Sequence, residues 1–157
     1  MPGRKLSTKQ RGYEYSCGEF VIVEFYKGNK YDFASEIIYS VKKGCYCDKL
    51  KAGLYILLSM KGLWSKVGYK YGVMQVTDLV YFVNYNFRNE RIIEKELKYC
   101  EPNLPVGPHL PHELSTSCPS IPYSCLNCHH DLHYKMVEII CTFDFILKID
   151  IKILPGS

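Results

Sequence analysis

The sequence predicts an α+β protein: a small mixed or antiparallel sheet with two helices, plus a zinc-stabilised β module at the C-terminal end. Three observations carry that prediction. Short runs rich in β-branched and aromatic residues recur along the chain. Two stretches place apolar residues at helical spacing. One late stretch, Pro122 to Cys141 (PYSCLNCHHDLHYKMVEIIC), holds three cysteines and three histidines. The 157 residues are 47% apolar, enough to bury one domain's core and too many for a disordered chain.

Residues 1–12 read as a flexible basic arm, with Arg4, Lys5, Lys9 and Arg11 and no acid among the first eleven. The α+β body is expected over 13–100. Ser16 to Tyr26 alternates as a strand between Gly18 and Gly28. Phe33, Ile37 and Val41 fall at i, i+4 and i+8 and predict a helix over 33–43. Asp32 would be its N-cap and Gly44 its C′ residue. Lys51 to Met60, Val67 to Met74 and Val76 to Tyr85 read as strands. Asn89 would cap a second helix running to about Cys100, with Ile93, Leu97 and Cys100 on its buried face. Residues 101–122 contain six of the eight prolines. That density excludes a helix or central strand and predicts a Pro-rich clasp. The knuckle and strand module is placed at 123–157, with strand-like segments over 132–140 and in LKIDIKIL.

Cys125 and Cys128 have the C-x2-C spacing with which two thiolates grip one zinc ion from a tight turn. A redox pair or a chance spacing are the alternatives, but a Pro-rich stretch before the pair and a strand after it fit a zinc ribbon better than a thioredoxin-type motif. A structural Zn2+ needs four ligands. Cys141 lies at the far end of an expected strand, so Cys100 and His109 are assigned to complete the set with Cys125 and Cys128. His112, Cys118 and His130 remain as alternatives. Cys45 and Cys47, one residue apart, read as structural thiols, with a second metal site as the alternative, and Cys17 shows no partner signal. No secretory signal is expected, because no apolar run follows the charged start. Eight cysteines then point to a reducing compartment.

No stretch is long and apolar enough for a membrane span. The cytidine-deaminase pattern fails, because His112 and Glu113 are adjacent and Pro122 sits three residues before Cys125. H-E-x-x-H and P-loop motifs are absent, so the sequence points away from an enzyme. Binding is the better class. The net charge is +4, and residues 42–70 hold seven lysines against one acid, Asp48. Such a layout suits an anionic partner. In LWSKVGYKY, Lys66 and Lys70 interleave with Trp64 and Tyr69, as phosphate neutralisation and base stacking require. The competing reading is a tyrosine-rich sheet with lysines on its wet face.

Cys125-Leu-Asn-Cys128-His129, with Cys100-Glu-Pro and Gly107-Pro-His109 upstream, resembles the first-open-reading-frame protein of sobemoviruses. That family's pattern uses two C-x2-C pairs for one zinc, whereas this chain has one. The resemblance implies a zinc-binding suppressor of host RNA silencing that also supports virus spread. It would act in the host cytoplasm, with the nucleus as a second location, by holding RNA or a host silencing protein. A zinc-stabilised protein–protein adaptor with no RNA role is the rival expectation.

Overall fold

The computed structural model describes residues 14–42, 44, 45, 50–67, 71–77, 79–100, 118, 137 and 139–152. The arm at 1–12, the clasp apart from Cys118, His109, Tyr69, Lys70 and the Cys125–Cys128 knuckle lie outside these residues.

Seven strands form one mixed sheet: β1 (Glu14–Lys27), β2 (Glu36–Lys42), β3 (Gly53–Ser59), β4 (Trp64–Val67), β5 (Tyr71–Gln75), β6 (Tyr81–Asn84) and β7 (Phe145–Lys152). Their order is β4-β5-β2-β1-β7-β3-β6. β2 and β5 run parallel, and every other neighbouring pair is antiparallel. β7 therefore belongs to the same sheet as the strands of 14–100, between β1 and β3.

The sheet is curled into an open half-barrel. Tyr39 on β2 and Phe82 on β6 are four strands apart, about 19 Å on a flat sheet, yet their ring centroids are 5.7 Å apart. Trp64 on β4 and Phe145 on β7, also four strands apart, meet at 5.5 Å. Part of the curl comes from β1, whose pairing register shifts between Ser16 and Gly18, between Ile22 and Glu24, and between Phe25 and Lys27. Each extra residue bends and twists the strand. Gly18 is required at the first shift, because a Cβ there would lie 2.3 Å from the Tyr39 hydroxyl oxygen.

The expected two-helix α+β fold is corrected to a mostly β fold with one helix, α1 (Phe87–Leu97), among the described residues. The helix expected over 33–43 is instead β2. The spacing i, i+4, i+8 is shared by helices and strands, because four is also a multiple of two. Ile37, Tyr39 and Val41 point into the half-barrel core, while Ile38 packs with Val73 on the opposite face. Burial on both faces is a strand property that no amphipathic helix would show. The segment expected as one strand over 67–74 is divided between β4 and β5. Of the strand expected over 132–140, Ile140 instead begins a 3-10 turn, Ile140–Thr142.

A second part of the core lies on the outer face. Ile56, Leu58 and Val83 are fully buried there, with Ile146 beside them. α1 covers this face through Ile93, and the 3-10 turn adds Ile140 with Phe143 just after it.

Candidate nucleic-acid interface

The site is built on α1, and its inner side explains why the helix sits still. Asn86 is the N-cap: its side chain accepts a hydrogen bond from the Asn89 N–H at 2.7 Å, satisfying a donor with no partner in the first turn. Asn89 is fully buried and its amide donates to the Asn84 carbonyl at 3.0 Å. Glu90 reaches down to the sheet. It accepts hydrogen bonds from the Tyr26 hydroxyl and, at 3.1 Å, from the Tyr85 hydroxyl. Lys148 stands 3.9 Å from the same carboxylate and 4.1 Å above the Tyr85 ring.

The electrostatics follow from that cluster. The Tyr26 hydrogen bond, with help from Tyr85 and Lys148, holds Glu90 below the usual carboxylate range against the opposing effect of burial. Burial first, and then the bond to Glu90, pushes the Tyr26 hydroxyl far above its ordinary value. The carboxylate is thus kept ionised and the Tyr26 phenol protonated. Glu90 works as a tether between α1, β1 and β7, and has no proton to give. The other end of the helix is held covalently, by a disulfide between Cys100 and Cys141 in the 3-10 turn.

With its inner side so engaged, α1 turns its cations outward. Arg88, Arg91, Lys95 and Lys98 are all exposed. At 3.6 residues per turn they fall within an arc of about 80°. No ion pair among the described residues engages Arg91, Lys95 or Lys98. Glu94 borders the stripe, and a shallow groove runs along it past Ile92. Phe87 and Tyr99 stand at its two ends, 66% and 72% exposed. Arg91 lies over the Phe87 ring at 5.5 Å.

The residues expected from the sequence fare differently. Trp64 is half-buried, and its ring is used in packing. It meets Phe20, Phe33 and Phe145 edge-on at 6.2, 5.0 and 5.5 Å, and its indole N–H donates to Ser59 at 2.8 Å. It forms one wall of a cleft shared with Phe33, Lys61 and Phe145. Lys66 lies on the edge strand β4. Arg4, Lys5, Lys9, Arg11, Tyr69 and Lys70 are outside the described residues. The basic stripe on α1 was readable all along. Cations at 88, 91, 95 and 98 step by three, four and three, a helical period on the face opposite the apolar one.

The zinc expectation is corrected. Among the described residues no group of three or more His, Cys, Asp or Glu is placed to hold a metal ion. Cys100, assigned as a ligand, is bonded to Cys141, and a disulfide sulfur has no thiolate to offer. Cys45, read as a structural thiol, is bonded to Cys118, and Cys17 is disulfide-bonded as well. Cross-links do here what a zinc ion was expected to do, and the reading as a metal-binding or zinc-finger protein falls with it.

No family model, no curated protein and no solved structure matches this chain.

Proposed function

We propose that the chain acts by binding RNA through the basic face of α1, without catalysis. The observation that carries this reading is the row Arg88, Arg91, Lys95 and Lys98 on one solvent-facing arc of an anchored helix. Lysine and arginine bind nucleic acid by neutralising phosphates and releasing counterions. A helix tethered at both ends offers those charges without a large ordering cost. Glu90 held ionised and Tyr26 held protonated lend no support to acid–base catalysis near neutral pH.

The test is anisotropy of a labelled 20-nucleotide oligo-uridine across a salt series. Three phosphate contacts to a single strand, from Arg91, Lys95 and Lys98, should give a log–log slope of about −2.1. The triple variant Arg91→Glu, Lys95→Glu, Lys98→Glu should lose most of the affinity and most of the slope, with an unchanged melting curve. Equal binding by the folded triple variant would remove α1 from the reading.

A protein–protein adaptor with no RNA role is the second reading, and the disulfides favour it. Cross-links at 45–118 and 100–141 suit a chain that matures in an oxidising compartment. Silencing suppression in the host cytoplasm or nucleus, which the sobemovirus resemblance implies, is the less supported form of the RNA reading.

A further inference from the structure

We infer that the ligand of the α1 face is a single strand of about six nucleotides, with unpaired bases stacked on Phe87 and Tyr99 at its two ends. The inference rests on the RNA-binding reading and narrows it. A stripe of cations alone cannot tell a single strand from a duplex, because both present phosphates. The rings can. Phe87 and Tyr99 are 66% and 72% exposed. A base inside a duplex has no free face to offer them, whereas an unpaired base stacks on any aromatic ring.

The spacing sets the length. Phe87 and Tyr99 are twelve residues apart, about 18 Å at 1.5 Å per residue. End bases five rises of 3.4 Å apart, about 17 Å, belong to a strand of six nucleotides. The four cations fall between the rings, in an order ring, cations, ring that matches bases at the ends and phosphates between them. Arg91 over the Phe87 ring covers one face of it. The base would take the other, with the guanidinium strengthening the stack as a cation–π contact.

The test uses oligo-uridines of three, six and nine nucleotides, and a blunt duplex of nine base pairs, each labelled, on the full oxidised chain. The inference expects affinity to rise steeply from three to six nucleotides and little more at nine, with the duplex bound at least tenfold more weakly. Phe87→Ala and Tyr99→Ala should each weaken the six-nucleotide probe about tenfold and leave the salt slope unchanged. Phe87→Tyr and Tyr99→Trp should restore binding. Both positions are exposed, so these variants keep the fold. Equal affinity for duplex and single strand, or alanine variants that bind like the parent, would overturn the inference and leave phosphate binding by α1 standing. Failure of every probe to bind at low salt would overturn the inference together with the reading under it.

Discussion

Two stretches of this chain mix lysine or arginine with aromatic rings: LWSKVGYKY at 63–71 and FRNERIIEKELKY at 87–99. In the first, the extended backbone of β4 (Trp64–Val67) sends alternate side chains to opposite faces, and the concave face is the core. Trp64 is drawn into it and ringed by Phe20, Phe33 and Phe145. In the second, a helix needs only a narrow stripe to bury. Asn89 and Ile93 fill it, so Phe87 and Tyr99 stay outside. The difference teaches that such a composition signals a binding surface only after its backbone period is known. At period two, one face of a curled sheet consumes the rings. At period 3.6, the cations and rings can share the wet side.

Four experiments would break or sharpen this contrast. The largest effect is expected for the staple that holds α1. Replacing Cys100 and Cys141 by serine reopens a loop of sequence separation 41, a loss of about 4 kcal/mol by loop entropy. Urea unfolding would read it, and the RNA affinity of the α1 face should fall in parallel as Lys98 and Tyr99 lose their support. Next, Trp64→Ala should cost about 3 kcal/mol of stability as a core truncation, with RNA affinity unchanged once corrected for the folded fraction. A large affinity loss in well-folded Trp64→Ala would reverse the comparison and return the interface to β4.

The third experiment concerns the Glu90 tether. Its folded value lies below the ordinary one. Its contribution is therefore complete above the ordinary glutamate range, and it is lost as pH falls through that range toward the lower folded value. Glu90→Gln should reduce stability at pH 7 by about 1–2 kcal/mol and flatten the acid limb of the stability profile. A variant with the parent's acid limb would show that the carboxylate does not anchor the helix. The smallest effect is expected at the cap, where Asn86→Ala should cost about 1 kcal/mol, seen as a small drop in melting temperature with near-normal binding.

Much of the fold could be read from local pattern. β1, β3 and β7 follow runs whose alternation or β-branching is plain, and α1 follows Ile93 and Leu97 at helical spacing. Even there the cap is Asn86, three residues before the expected Asn89, which is buried instead. β2 was misread because its spacing fits both periods, and only burial of Ile38 on the second face separates them. The cysteine chemistry was not legible. Partners 73 and 41 residues apart leave no local signature, whereas the nearby Cys125 and Cys128 suggest a metal by proximity alone. Curvature was equally hidden, since nothing in a strand's own sequence shows that rings four strands away will meet.

The bond between Cys100 and Cys141 also fixes how the molecule would behave under a protease. It closes residues 100–141 into a covalent ring, and β7 beyond that ring is hydrogen-bonded on both sides, to β1 and β3. A single backbone cut between positions 100 and 141 would therefore release no fragment and remove no strand. The nicked protein would migrate as one species until a thiol opened the ring. That makes this interval the natural place to open the chain for an inserted tag or for new termini.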